Sequence, residues 1–255
     1  MRTLHRAIVR KPSRRISEGE VTHIARVPLD VDLGLRQHAA YLQLLERLGL
    51  QLIHAVETDD HPDGLFVEDA LVMVRGHAIV TRPGAPSRRG ETGSIATLLS
   101  ALGIPFSSIA NGTLDGGDVL VVGDRVFIGL TTRTTCEAID EFDALVQPLG
   151  FTTVAVHVPG CLHLKSAITA LPDGTLIGVE GSYDPAPFRN AGFTIHDADE
   201  PSGGDVLCIG NTVVLPADAP RTGQRIRSLG FGVEHIDVSE LQKIEAGVTC
   251  LSVLL

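Results

Sequence analysis

The chain has no tryptophan, two tyrosines, two methionines, and four scattered cysteines: Cys136, Cys161, Cys208 and Cys250. None forms a CxxC pair or a Cys/His cluster at metal spacing, which excludes a zinc module. Four separated thiols in 255 residues point to reduced cysteines rather than a disulfide framework. No run approaches the roughly 18 consecutive apolar residues of a membrane helix, so no membrane contact is expected. Positive charge is scarce: 21 Lys and Arg stand against 31 Asp and Glu, a formal net charge of −10. That balance argues against a nucleic-acid partner, because such binding draws most of its affinity from basic patches. The stretch "MRTLHRAIVRKPSRRISEGE" is basic but lacks the apolar core and cleavage site of a secretory signal, so a cytoplasmic location is expected.

What remains is ordinary globular composition, 44% apolar and 20% charged, in a chain long enough for a sizeable core. With no linker or low-complexity stretch, residues 1–255 read as one domain.

The organisation shows in a repeat. Four stretches share a scheme of polar residues, an apolar strand, a turn and a second strand: "FVEDALVMVRGHAIVTRPG" (66–84), "TLDGGDVLVVGDRVFIGLTTRT" (113–134), "HLKSAITALPDGTLIGVE" (163–180) and "SGGDVLCIGNTVVLPADAPRT" (202–222). A fifth, "TCLSVLL" (249–255), lacks its second strand, and "LHRAIVRKPSRR" (4–15) has the form of the missing piece. "GGDVL" occurs twice, at 116–120 and 203–207. The pairs at 123–124, 173–174 and 210–211 ("GD", "DG", "GN") suit hairpin turns. Helical patterns at 33–50, 91–103, 135–150 and 221–230 each end in Leu-Gly, a C-cap signal, before a further strand. The unit is therefore hairpin, helix, strand, repeated five times in an α/β ring that the N-terminal strand closes.

In such a ring the equivalent strand entrances converge on the axis. They carry Glu68 and Asp69, Asp115 and Asp118, His163, Asp205, and Cys250. Taken alone, Cys250 in an apolar run reads as core packing. Set among carboxylates and a histidine it reads as a nucleophile, since a thiolate needs a nearby positive charge to form. Protonated His163 or a cationic substrate could supply that charge, and His163 beside Asp115 can serve as general acid and base. Several carboxylates around a thiol suit a planar cation such as a guanidinium.

"PDGLFVEDALV" (62–72), "TRPGAPSRRGET" (81–92), "TLDGGDVL" (113–120), "LHLKS" (162–166) and "GVTCLSVL" (247–254) closely resemble dimethylarginine dimethylaminohydrolase, a family of the pentein, or amidinotransferase, superfamily. The resemblance spans the whole chain and implies a five-bladed αβ propeller. It implies hydrolysis of Nω-methylated arginine to citrulline with no metal or cofactor, a small-molecule substrate as partner, and leaves a homodimer open. Carried over by position, Cys250 matches the nucleophile, His163 the general acid/base and Asp115 its acidic companion. Asp63, Glu68 and Asp69 match the group holding the substrate, with Asp69 on the guanidinium. Arg88 and Arg133 match the arginines that take the α-carboxylate, a pairing suited to the bidentate fork of arginine. Backbone carbonyls near Val21 and Ile244 match those on the α-ammonium.

Asp118 and Asp205 are expected to cap turns or bind backbone amides. His54, His61, His77, His157, His196 and His235 are expected to be structural or exposed, and Cys136, Cys161 and Cys208 to be core thiols. Two departures concern the substrate: Asp205 stands where the family commonly has Asn, and the expected lid, "SRRISEGEVTHI" (13–24), diverges. The rival reading is arginine deiminase, whose relatives carry "HxD" where this chain has "HLK", with Lys165 at the acid's position. A non-catalytic binder of cationic amino acids is a further alternative, disfavoured by the intact Cys, His and Asp set.

Overall fold

The computed structural model describes residues 6–56 and 59–255; Leu4, His5 and Glu57, at the ends of two expected strands, lie outside them. Residues 6–54 form β1 (Arg6–Val9), α1 (Val31–Arg47) and β2 (Gln51–His54). The first blade follows: a one-turn α2 (Val67–Ala70), β3 (Leu71–Val74), β4 (His77–Val80), α3 (Glu91–Ala101) and β5 (Phe106–Ser108). The second has a 3-10 turn at Gly116–Asp118, then β6 (Val119–Val122), β7 (Arg125–Leu130), α4 (Cys136–Val146) and β8 (Thr152–His157). In the third come α5 (Leu164–Ala167), β9 (Ile168–Ala170), β10 (Leu176–Gly178), α6 (Ala186–Asn190) and β11 (Ile195–Asp197). The fourth has a 3-10 turn at Pro201–Gly204, β12 (Leu207–Ile209), β13 (Thr212–Pro216), α7 (Pro220–Ser228) and β14 (Gly232–Ile236). Then α8 (Ser239–Gln242) leads to β15 (Val253–Leu254).

Each blade is a three-stranded sheet of one pattern: the inner strand runs antiparallel to the middle one, and the middle strand parallel to the outer. The parallel step needs a crossover, which the helix supplies. The fifth sheet is β15-β1-β2, with Ala7 opposite Leu254, so the N-terminal strand does complete the last unit. Every expected C-cap glycine (Gly49, Gly103, Gly150 and Gly230) is left-handed, where a side chain would be strained.

Closure of the ring is visible in the core. Five apolar clusters each bridge neighbouring blades: Val74 and Ile79 meet Val126 and Phe142, Leu120 and Phe127 meet Leu164 and Phe188, and Ile177 meets Val213 and Ile226. Val214 and Leu207 meet Tyr41 and Leu45, and Ile8 and Val253 meet Leu71 and Ile95. Hydrophobic burial thus runs from blade to blade around the ring. Among the described residues no helix is long and apolar enough to cross a membrane.

Three expectations need correction. Four of the "strand entrances" are single helical or 3-10 turns and the fifth, at Cys250, is a hydrogen-bonded turn; of "TCLSVLL" only Val253–Leu254 is strand. A turn there frees backbone N–H groups at the axis for capping, which a continuous strand would hold in its ladder. The third blade's crossover helix, α6, went unforeseen because it has five residues and a single buried one, Phe188. Cys136 is exposed, since it opens α4 away from the buried Ala138, Ile139, Phe142 and Val146.

Candidate active site

The turns at the axis share a short step before each inner strand: Asp69-Ala70-Leu71, Asp118-Val119-Leu120, Ser166-Ala167-Ile168, Asp205-Val206-Leu207 and Ser252-Val253-Leu254. The three aspartates each reach into another blade. Asp69 Oδ1 accepts the N–H of Gly117 at 3.1 Å, Asp118 Oδ1 that of Leu164 at 3.0 Å, and Asp205 Oδ1 that of Thr249 at 3.0 Å. Asp118 and Asp205 therefore bind backbone amides as expected. One of those amides follows His163 and the other precedes Cys250, so both side chains hang from capped turns.

His163 is buried, with Nε2 3.0 Å from Asp115 Oδ2 and Nδ1 3.8 Å from Asp69 Oδ1. Burial alone would lower its pKa, but Asp69, the Asp115 bond and Asp118 outweigh that and raise it to about 9. Asp115, fully buried, uses its other oxygen to accept Gly84 N–H at 2.8 Å. Gly117 lies against the histidine: a Cβ there would fall 2.7 Å from His163 Nδ1 and 2.8 Å from Asp69 Oδ1.

Cys250 Sγ lies 3.5 Å from the N–H of Gly247. Burial, then Asp205, Glu68 and Asp69, push its thiol well above the ordinary range, so it is protonated at rest. The turn that carries it is anchored from α1, where the Tyr41 hydroxyl donates to Val248 O at 2.9 Å and lies 2.8 Å from Ser252 Oγ.

Seven of the expected residues line one small cavity: Asp63, Asp69, Arg88, Arg133, His163, Ile244 and Cys250. Its volume, ≈ 20 Å³, holds little more than a water molecule. The roof is the segment at 13–24. Glu20 N–H donates to both Asp63 oxygens, at 3.1 and 3.0 Å, and the N–H groups of Thr22, His23 and Ile24 all point at Glu245. Glu245 holds a left-handed backbone, φ 66°, rare for a side chain of its kind. Arg133 Nη2 donates to Thr22 Oγ1 at 3.1 Å, while its buried Nη1, 3.5 Å from Asp115 Oδ2, makes no hydrogen bond.

Two expected roles meet a different setting. Arg88 lies in a buried ion-pair cluster, 2.7 Å from Asp69 Oδ2 and gripping both Glu91 oxygens at 3.0 Å. His163, then Arg88, hold Asp69 at about 2 against its burial. Glu91 was missed, although its place three residues after Arg88 at a helix start was the available signal. Glu68 does not line the small cavity. It meets Lys165 Nζ at 2.6 Å and the Thr249 hydroxyl at 2.9 Å, facing an axial space of ≈ 260 Å³ lined by all five inner strands. Val21 packs beside the apolar cluster that contains Ile244. Asp69, Asp115 and His163 offer atoms within 4.8 Å of one another, near enough for one cation. The Arg88 and Arg133 guanidinium groups already sit against both carboxylates.

Comparison with known proteins converges on one group. The arginine deiminase family profile matches residues 46–175. The N(G),N(G)-dimethylarginine dimethylaminohydrolase of Streptomyces coelicolor is 42% identical, covering 98% of this chain and 96% of its own. The Pseudomonas aeruginosa enzyme of the same name is 31% identical, with 96% and 97% covered. A solved cysteine-to-serine variant of a Pseudomonas aeruginosa enzyme with citrulline superposes at TM-score 0.91 and 31% identity, over 99% of this chain and 100% of that one. A histidine-to-glycine variant of a dimethylarginine dimethylaminohydrolase, as an adduct with S-methyl-L-thiocitrulline, gives TM-score 0.92 at 30% identity, over 99% and 100%.

Proposed function

The chain belongs to the dimethylarginine dimethylaminohydrolase family, and from that membership we propose how its residues divide the work of converting Nω-methylated arginine to citrulline and an alkylamine. The observation that carries the reading is the meeting of Cys250, His163 and Asp69 on one buried cavity. Cys250 is the nucleophile, protonated at rest because acids surround it. A guanidinium entering beside Asp69 and Asp63 offsets those negative charges and favours the thiolate, whose proton passes to solvent as the substrate binds and is regained when the cycle closes. The sulfur attacks the guanidinium carbon, and His163, which carries its proton at neutral pH, gives it to the departing dimethylamine as the carbon–nitrogen bond breaks. An S-alkylthiouronium remains. Neutral His163 then takes a proton from water as the oxygen adds to the same carbon. Collapse breaks the carbon–sulfur bond, leaving citrulline and free Cys250. Asp115 orients the imidazole throughout.

Arg133 takes the substrate α-carboxylate, a role supported by its buried Nη1 without a hydrogen bond. Arg88 contributes to the same end once its cluster rearranges, and the carbonyls of Val21 and Ile244 face the α-ammonium. Glu68 acts indirectly, by holding Thr249 beside the nucleophile. The ≈ 20 Å³ cavity cannot take an amino acid, so the roof at 13–24 must lift for each turnover. The reading also includes a single catalytic domain over 1–255 acting in the cytoplasm without metal or organic cofactor, as a monomer or homodimer.

Cys250→Ser should bind substrate and release no dimethylamine; near-normal turnover in that variant would overturn the assignment. The profile match bears the name arginine deiminase, so the substrate itself must be tested. Dimethylarginine, monomethylarginine and arginine should be compared by release of dimethylamine, methylamine and ammonia. Fastest release of ammonia from arginine would favour deimination. Lys165, bound to Glu68, stands where a deiminase would place an acid.

A further inference from the structure

Asp205 is a buried acid near the nucleophile that the mechanism leaves unused. His23 and Glu245 line the same ≈ 280 Å³ cavity as Asp205. Five groups act on the acid from the elements packed around it: Glu68 from α2, Lys165 from α5, Cys161 from the loop before α5, Tyr41 from α1, and Cys250 itself. The single cation among them, Lys165, is paired with Glu68 at 2.6 Å, and among the described residues Asp205 makes no salt bridge. Its Oδ1 accepts the Thr249 N–H at 3.0 Å. Its Oδ2 lies 3.4 Å from Thr249 Oγ1, and a Cβ on Gly247 would fall 1.7 Å from that same oxygen. The acid is thus wedged against both ends of the Gly247–Thr249 turn from which Cys250 projects.

Counting protons decides its charge. The Thr249 hydroxyl has one hydrogen, and the nearer acceptor is Glu68 Oε2, at 2.9 Å against 3.4 Å. With that hydrogen committed to Glu68, an ionised Asp205 Oδ2 would have no donor among the described residues, an unfavourable state for a buried charge. A protonated Asp205 closes the chain, donating Oδ2–H to Thr249 Oγ1, which donates onward to Glu68. Taking Cys250 as the nucleophile, as above, we propose that Asp205 is a positioning residue that works as an uncharged carboxylic acid, clamping the Gly247–Thr249 turn and keeping one negative charge away from the Cys250 sulfur. Burial, then Glu68, push Asp205 up to about 7, in the same direction. Above that pH it ionises, loses its bond to Thr249 and opposes the thiolate.

The test pairs Asp205→Asn with Asp205→Ala. The asparagine amide reproduces the neutral acid, accepting from Thr249 N–H and donating to its hydroxyl. Alkylation of Cys250 by iodoacetamide, read by peptide mass, and kcat and KM for dimethylarginine should be followed from pH 6 to 9. Asp205→Asn should match the native enzyme at pH 6 and alkylate roughly tenfold faster at pH 8.5, where the native acid is charged. Asp205→Ala should lose roughly tenfold or more in kcat at every pH with a smaller change in KM. Superimposable alkylation profiles for the native enzyme and Asp205→Asn would overturn the proposal, as would an unimpaired kcat in Asp205→Ala. Full activity after complete alkylation of Cys250 would instead overturn the nucleophile assignment beneath it, a separately readable failure.

Discussion

The second and fourth blades contain the same pentapeptide, Gly-Gly-Asp-Val-Leu, and put its aspartate to different uses. Asp118 accepts three firm hydrogen bonds, from Thr131 Oγ1 at 2.8 Å, Thr134 Oγ1 at 2.6 Å and Leu164 N–H at 3.0 Å. Burial raises it to about 6, against the pull of His163 and those donors. Asp205 has one firm donor, and burial with Glu68 carries it to about 7. Both cap a turn, that of His163 for one and that of Cys250 for the other. Identical local sequence therefore fixes where an acid sits, while the partners that the rest of the fold brings to it fix its charge.

The largest effect that tests this difference is truncation. Asp118→Ala strands two hydroxyls and an N–H and should cost roughly 3–5 kcal/mol in chemical denaturation, whereas Asp205→Ala strands one N–H and should cost about 1–3 kcal/mol. Equal costs would erase the distinction. Next comes the glycine behind each acid. A Cβ on Gly247 would fall 1.7 Å from Asp205 Oδ2, and one on Gly129 2.6 Å from Asp118 Oδ1. Gly247→Ala should be the worse, by about 2–3 kcal/mol, and should be largely rescued in an Asp205→Ala background.

Smaller is the pH dependence of stability. Each acid has a folded pKa above its unfolded 3.8, so the native state holds the extra proton between the two values, and stability falls as pH rises there. From pH 4 to 6 both acids contribute. Between about 6 and 7 Asp205 is the acid of the two that still contributes, at up to about 1.4 kcal/mol per pH unit. His163, held at about 9, adds a further fall above its unfolded 6.5, so Asp205→Asn should reduce, without abolishing, the slope of that interval in melts. Smallest is Thr134→Val, expected to cost about 1 kcal/mol and to move Asp118 upward toward its counterpart in a carboxyl NMR titration.

The ring was legible because its signals are local: Leu-Gly caps, hairpin pairs, the doubled pentapeptide and a strand at 4–15 shaped like a missing piece. Blade three's helix was not, since five residues that follow Pro185 and contain Pro187 carry no period. Within the site, the titratable residues before each inner strand could be found by laying repeats over one another. Their pairings could not. Glu68 turns to Lys165 and Thr249, and Glu245 caps amides more than 220 positions away. Such contacts depend on which blades face each other across the axis, a relation that spacing along one chain does not encode.

The two-residue strand β15 pairs with β1, near the opposite end of the chain. During synthesis β1 is made well before its inner partner β15, so one edge of β1 stays open while the four intervening blades are assembled. A contact of such sequence separation forms slowly, and an open strand edge invites mispairing. Cys250 lies in the stretch that leads into β15. A chain stopped before residue 249 therefore lacks at one stroke the inner partner of β1 and the thiol at the axis.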